Sequence, residues 1–193
     1  EALIKKANEG VPVYVIYDAF PGSIVNHSFF REMKLYGVEV HRYNPVLPIP
    51  SAYSNNRNHR KIVVIDGHIG YMGGMNIAER YLKGVHNGDW RDTHLRIEGA
   101  ACQQLQQVFM DDWRKQSTTT PHYTTLHHAT PHYTIHQAQC PIQIIASDPE
   151  DSTPPILHAM IQMADSAKQY LYIQSPYFLP PKQLEEALCE AAK

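Results

Sequence analysis

Residues 59–76 combine side chains whose types and spacing suit chemistry on a phosphodiester. The segment reads His-Arg-Lys-Ile-Val-Val-Ile-Asp-Gly-His-Ile-Gly-Tyr-Met-Gly-Gly-Met-Asn. It supplies an imidazole nucleophile at His59, a cation at Lys61 and an amide donor at Asn76. Imidazole is largely unprotonated at neutral pH, and phosphoryl transfer mainly requires stabilisation of charge on the phosphate oxygens. We therefore expect this segment to handle a phosphodiester without a metal or other cofactor.

Side-chain alternation along a strand divides this motif into two parts. His59 and Lys61 share a face, roughly 7 Å apart along the strand, because residues two apart point the same way. Asp66 has the opposite parity and precedes Gly67, and an Asp-Gly pair is typical of a hairpin turn. We therefore expect His59 and Lys61 to face the chemistry and Asp66 to be a structural support at the turn.

Three further positions complete the expected site. Gly73 and Gly74 allow close backbone approach to a phosphate. A nucleophilic imidazole also needs a carboxylate on its second ring nitrogen, because that partner fixes the tautomer. Asp92, at the start of the next expected strand, is the candidate for this role, and Asp89 is the alternative. Three other histidines, His41, His68 and His94, are expected on the surface or in strands.

Composition limits the class of protein. The 193 residues are 43% hydrophobic and 19% charged, which is typical of a globular α/β protein. A net charge of -2 argues against a polyanion-binding surface built on bulk charge, although a local basic pocket stays open. The three cysteines show no C-x-x-C spacing and are interpreted as thiols in a reducing compartment. No apolar run approaches the roughly 18 residues of a membrane span.

Hydrophobic periodicity and the positions of glycine and proline predict alternating helices and strands. The expected helices are one that ends at Gly10, then 26–36, a short one near 77–82, 100–116, 155–168 and one after Pro181. The expected strands are 11–17, 38–43, 60–65, 69–72, 93–97, 142–146 and 170–174. This alternation predicts an α/β fold with a mixed β-sheet flanked by helices on both faces.

Residues 117–140 differ in kind, because they are rich in Thr, His and Pro and contain Thr-Pro-His-Tyr-Thr twice. Three histidines, His128, His132 and His136, have helical spacing, which raises the alternative of a metal or pH-sensitive site. Pro131 and the threonines disfavour a helix, and no cysteine or carboxylate is interspersed. We therefore interpret 117–140 as a surface linker.

The two ends of the chain resemble each other. Glu, Ala, Leu and Ala of residues 186–193 recur in residues 1–8 at one constant offset. This similarity predicts a long internal repeat and a chain cut from a longer protein. We expect a phosphodiester-handling domain at 1–116 that lacks its first elements, a linker at 117–140, and the start of a second repeat at 141–193.

The spacing His59-x-Lys61-x4-Asp66-x6-Gly73-Gly74-x-Asn76 resembles the HKD motif of the phospholipase D superfamily. Segments 73–82, 90–97 and 175–180 are similar to those of bacterial cardiolipin synthases. The likeness extends over nearly the whole chain apart from 117–140.

This resemblance implies a double displacement through a phosphohistidine. One histidine attacks a phosphatidyl phosphorus, and a second protonates the leaving alcohol and then activates the acceptor. In cardiolipin synthases phosphatidylglycerol typically serves as donor and acceptor, and some relatives use phosphatidylethanolamine as donor. The resemblance gives His59 and Lys61 direct roles, Asn76 a phosphate contact and Asp92 the orienting role. It also implies a membrane surface as partner, at the cytoplasmic face of a bacterial inner membrane, and no nucleic acid.

The sequence departs from the family pattern in having a single His-x-Lys motif. We expect the second motif beyond residue 193, or in a homodimer partner, and we expect the monomeric chain to be soluble and unable to complete turnover. His59 is assigned as the nucleophile. Two alternatives stay open, namely a phosphodiesterase or nuclease of the same superfamily and a non-catalytic single-motif scaffold.

Overall fold

The computed structural model describes residues 1–19, 25–44, 56–82, 90–121 and 140–193. These residues form two compact units, Glu1–Ile142 and Gln143–Lys193. The first unit contains α1 (Ala2–Asn8), β1 (Tyr14–Asp18), α2 (His27–Leu35), β2 (Glu39–Tyr43), β3 (Ile62–Ile65), β4 (Ile69–Gly73), a 3-10 turn (Glu79–Tyr81), β5 (His94–Glu98) and α3 (Ala101–Gln116). The second unit contains α4 (Pro155–Ser166) and α5 (Lys182–Ala191).

Strand pairing in the first unit is both parallel and antiparallel. β1 and β2 are parallel and are connected through α2, with Val15 opposite Val40. β3, β4 and β5 form an antiparallel sheet in sequence order. The predicted α/β class is therefore confirmed, with a parallel pair and a three-stranded antiparallel sheet as its components.

Helices cover both faces of the parallel pair. On one face Val40 packs with Met33 of α2 in a buried apolar cluster that also receives α1. On the other face the ring of Trp113 from α3 contacts Tyr14 and His41, with centroid distances of 5.2 and 4.6 Å. Because successive side chains of a strand point to opposite faces, neighbouring positions of β2 reach different helices.

Helix α3 also packs on the antiparallel sheet. Its Cys102 and Leu105 are 0% and 1% exposed. A Cβ on Gly70 of β4 would lie 2.9 Å from Leu105 Cδ2 and 3.4 Å from Cys102 Sγ, so this glycine permits the close approach of the helix. α3 thus contacts both sheets.

The hairpin between β3 and β4 turns at Asp66 and Gly67. Both have positive φ, 52° and 71°, as a mirror-image type I′ turn requires. The turn is closed by a hydrogen bond from the His68 amide to the Ile65 carbonyl at 3.1 Å. The hairpin predicted from Asp66-Gly67 is confirmed.

Three predicted elements differ in the structure. The strands expected at 142–146 and 170–174 are wrong, because neither pairs with any of the residues that the structure describes. An apolar β-prone run becomes a strand only with a ladder partner, and here Tyr172 remains 87% exposed. The helix expected near 77–82 is reduced to the 3-10 turn.

Part of the predicted linker lies outside the described residues, namely 122–139, and so do His128, His132 and His136. Within the part of the chain that the structure describes, no helix is long and apolar enough to cross a membrane.

Candidate functional site

His59 and Lys61 lie side by side immediately before β3. His59 is exposed and Lys61 is half-buried, and the Lys61 Nζ donates a hydrogen bond to the His59 carbonyl at 2.6 Å. Burial lowers the pKa of Lys61, and the negative charge of Asp92 partly opposes this shift. The cation is therefore near the nucleophile candidate and also within electrostatic reach of the orienting carboxylate candidate.

The antiparallel register places Lys61 in a row with residues of β4 and β5. Extending the β3–β4 pairing by one residue puts Lys61 opposite Gly73, which itself pairs with His94. Directly opposed residues point to the same face of an antiparallel sheet. A Cβ on Gly73 would lie 2.7 Å from the Cα and 2.8 Å from Nδ1 of His94. That Nδ1 is buried and has no hydrogen-bond partner among residues of the described ranges.

Gly74 makes room for the carboxylate of Asp92. A Cβ at Gly74 would overlap both carboxylate oxygens of Asp92. The Gly74 amide donates to the Thr93 carbonyl at 3.0 Å, and Asp92 Oδ1 accepts from the Thr93 amide at 2.7 Å. In this structure the two glycines accommodate the start of β5; their contact with a phosphate stays a prediction.

Asn76 and Asp66 lie at different places around this cluster. The exposed Asn76 donates through Nδ2 to the Tyr81 hydroxyl at 2.9 Å. Asp66 lies past the far end of β3, which is four residues long and spans about 13 Å at the usual rise. The pKa of Lys6 on α1 is raised by its hydrogen bond to Glu9, and the charge of Asp66 adds a small contribution. Asp66 therefore belongs to the turn and its charge acts toward α1, away from Lys61.

The structure thus gathers Lys61 and Asp92 with Gly73 and Gly74, and it places the main-chain carbonyl of His59 against the Lys61 ammonium. The alternative orienter, Asp89, lies outside the described residues.

Sequence reasoning missed two buried carboxylates, Asp18 and Asp112, which hold the segment that carries His59. Asp112 lies near the end of α3, next to Trp113, which is 0% exposed. A signal for Asp18 existed, since it ends a parallel strand, and the carboxyl ends of such strands are where α/β folds build sites. No local pattern singles out Asp112. His68, expected on the surface or in a strand, is 7% exposed and lies beside the hairpin turn.

Comparison with known families classifies the fold. The family model described as "Cardiolipin synthase, PLD-like domain" matches residues 1–113. The chain belongs to this family.

Similar full-length proteins support the same classification. The chain is 39% identical over 190 residues to the cardiolipin synthase of Oceanobacillus iheyensis, covering 97% of this chain and 39% of that protein. It is 40% identical to the cardiolipin synthases of a Geobacillus species, over 192 residues, and of Listeria innocua, over 193 residues. These two matches cover 98% of this chain and 38% and 39% of the respective relatives. The chain therefore spans about two fifths of the length of the curated relatives it matches.

Proposed function

We propose that the chain is the first-motif half of a phosphatidyltransferase that makes cardiolipin from phosphatidylglycerol. The observation that carries this proposal is the adjacency of Lys61 and His59 in a chain of the cardiolipin synthase family. Phosphatidyltransferase activity is what the names of its relatives imply, and the first displacement requires an exposed imidazole and a nearby cation, which the exposed His59 and the ammonium of Lys61 at its main chain would supply.

In the first displacement a ring nitrogen of His59 attacks the phosphorus of the donor lipid. A P–N bond forms, and the P–O bond to the headgroup glycerol breaks with its electron pair on the glycerol oxygen. Lys61 stabilises the charge on the phosphate oxygens, and Asn76 donates to one of them. Asp92 holds the proton on the second ring nitrogen and stabilises the imidazolium that results.

The second displacement transfers the phosphatidyl group to an acceptor lipid. The glycerol hydroxyl of a second phosphatidylglycerol attacks the phosphorus, an O–P bond replaces the P–N bond, and His59 is released. The departing glycerol needs a proton and the incoming hydroxyl must lose one, and a second histidine would serve both steps. This chain has one His-x-Lys motif, so we assign the second histidine to another motif of a longer chain or to a homodimer partner.

The proposed partners follow from this chemistry. The substrate is a phospholipid at a membrane surface, which we assign to the cytoplasmic face of a bacterial inner membrane. Gly73 and Gly74 are proposed to lie against the lipid phosphate, and Asp66 to hold the hairpin turn. A net charge of -2 favours a phospholipid over a nucleic acid, and the proposed reaction uses no cofactor.

A donor with a good leaving group tests the proposal without requiring the second histidine. In a p-nitrophenyl ester of phosphatidic acid, the nitrophenolate departs unprotonated. We expect the chain to release a burst of up to one nitrophenolate per folded molecule, measured by absorbance. His59→Asn should give no burst. His158→Asn, which changes an exposed histidine of the second unit, is the matched control and should behave like the unaltered chain.

A parallel donor separates the lipid reaction from the nuclease alternative. Thymidine 5′-p-nitrophenyl phosphate presents the same leaving group on a nucleotide. A burst with the lipid donor alone supports the phosphatidyltransferase. A faster burst with the nucleotide donor would replace the proposal by a nuclease, and the absence of a burst with either donor would indicate a scaffold.

A further inference from the structure

The segment that carries His59 obtains its order from side chains rather than from a strand ladder. Residues 56–61 belong to no helix or strand, and β3 begins only at Ile62. A nucleophile must be held within about half an ångström of its reactive geometry. Something outside the backbone ladder must therefore fix the residues on either side of His59.

Asp112 binds both neighbours of His59. Its Oδ2 accepts from Asn58 Nδ2 at 3.0 Å, and its Oδ1 forms a short ion pair with Arg60 Nη1. Asn58 Oδ1 in turn accepts from the Arg60 amide at 2.8 Å. Asp112, Asn58 and Arg60 thus form a closed loop of hydrogen bonds that spans His59.

The carboxylate of this loop is buried, its two partners are partly buried, and His59 is exposed. The side chain of Asp112 is 4% exposed and that of Arg60 is 22% exposed. A buried carboxylate holds its donors strongly, because water does not compete for it and its loss would leave the arginine charge uncompensated. The position of Asp112 is also restricted by the packing of α3, since the next residue is the fully buried Trp113.

A second carboxylate braces the same segment from β1. Asp18 Oδ2 accepts from the Asn58 amide at 2.8 Å, and its Oδ1 accepts from Arg57 Nη1 at 3.3 Å. The same Arg57 nitrogen donates to the Asn44 carbonyl at 3.0 Å. The segment is therefore tied both to the end of the parallel strand β1 and to helix α3.

We propose that Asp112 is a positioning residue for His59, acting through Asn58 and Arg60. This inference rests on the proposed function for the role of His59. Asp112 makes no contact with the lipid in this scheme; it holds the main chain on both sides of the nucleophile so that the imidazole points at the phosphorus.

The test compares Asp112→Asn with its neighbour Asp111→Asn. Asp111 is 52% exposed and pairs with Arg114 on the same helix, so its variant is a matched control. With the p-nitrophenyl lipid donor, we expect Asp112→Asn to slow the burst about 10- to 100-fold. The lipid concentration that gives half the maximal rate should change less than about twofold, because binding contacts are intact. Asp111→Asn should match the unaltered chain in both quantities.

Exchanging the amide of Asn58 and the carboxylate of Asp112 distinguishes a positioning role from a general loss of structure. Asn58→Asp alone places two carboxylates together and should slow the burst further. In the double variant Asn58→Asp/Asp112→Asn, the new amide donates to the new carboxylate and still accepts from Arg60. We expect the double variant to recover most of the burst rate. Failure to recover, or an unchanged rate in folded Asp112→Asn, would overturn the proposal.

Amide hydrogen exchange gives a readout that does not depend on lipid chemistry. We expect Asp112→Asn to increase exchange at the Asn58 and Arg60 amides at least tenfold, with the Cys102 amide in α3 unaffected as an internal reference for folding. Should the unaltered chain give no burst, the proposed function fails, and the exchange result alone decides the positioning role. Unchanged exchange at Asn58 and Arg60 would contradict it.

Discussion

Lys61 is a cation held where burial makes its charge less stable than in water. Burial is the larger of the two influences on its pKa, and the attraction of Asp92 does not cancel it. A lysine whose pKa burial lowers is a candidate for a functional role, because perturbed pKa values cluster at functional sites. A negatively charged phosphate beside Lys61 would stabilise the positive charge that burial destabilises.

Replacing Lys61 by methionine separates these two effects. We expect the burst from the nitrophenyl lipid to slow about 100- to 1,000-fold, because the phosphate oxygens lose their cation. Lys34→Met, at an exposed position of α2, should leave the burst unchanged. A Lys61→Met variant that reacts at the rate of the unaltered chain would remove Lys61 from the mechanism.

The same substitution predicts a pH dependence of stability. The pKa of Lys61 is lower in the folded chain than its ordinary 10.5, so the unfolded chain binds this proton more tightly. Stability contributed by Lys61 therefore rises as the pH increases through the folded pKa toward 10.5. Urea unfolding measures the free energy of unfolding of the unaltered chain and of Lys61→Met. The difference between them should change in favour of the unaltered chain as the pH rises over this window. A change in the opposite direction would contradict a lowered pKa of Lys61.

At the scale of elements, the site depends on how closely β5 approaches the end of β4. The approach is possible because Gly73 and Gly74 carry no side chain where His94 and Asp92 lie. Two adjacent glycines thus make room for a carboxylate that precedes β5, near the lysine that precedes β3.

Gly74→Ala tests this arrangement. The added Cβ would overlap the Asp92 carboxylate and displace it, and we expect the burst rate to fall about 10- to 100-fold. Gly37→Ala is the control, because Gly37 has φ of 86° and open space around it. It should cost about 1 kcal/mol of stability through backbone strain alone and leave the burst rate per folded molecule unchanged. Equal loss of rate in both variants would show that stability, not the position of Asp92, is what Gly74 controls.

Elements defined by local chemistry could be predicted from the sequence. The hairpin at Asp66-Gly67 and the helix end before Gly37 each require positive φ at particular positions. Residue types that tolerate positive φ occupy these positions, so the local sequence predicts both features. The strands expected at 142–146 and 170–174 could not, since their formation depends on a pairing partner rather than on their own residues.

The residues of the candidate site also fall into two groups, those that a local motif predicts and those that only tertiary packing brings together. His59, Lys61 and Asn76 form a motif with fixed spacing, so the sequence identifies them as candidates. The hydrogen bond between Asn58 and Asp112 joins residues 54 apart, and that between Asn58 and Asp18 joins residues 40 apart. No spacing rule connects such distant residues, because their approach is set by how α3 and β1 pack.

At the scale of the whole molecule, one motif supplies one histidine, whereas the proposed reaction needs two. The first compact unit carries His59 and Lys61, and the second unit carries no further His-x-Lys motif. In the proposed reaction, this chain therefore performs the first displacement and shares the second.

Turnover with phosphatidylglycerol should reveal this division. We expect a chain shown to be monomeric by sedimentation to form no cardiolipin from phosphatidylglycerol, because each cardiolipin formed is a complete turnover that needs the second histidine. Activity that rises with the square of concentration would assign the second histidine to a homodimer partner. Sustained cardiolipin synthesis by the monomer would contradict the half-site account.

In the proposed mechanism His59 forms a covalent bond to the phosphorus of a phospholipid. The most direct measurement is peptide mass spectrometry after reaction with the p-nitrophenyl lipid donor and an alkaline quench, which preserves phosphorus–nitrogen bonds. We expect the phosphatidyl mass on the peptide that contains His59, and its absence in His59→Asn. A phosphatidyl group on any other residue, or an unmodified His59 in a chain that has released nitrophenolate, would contradict the account.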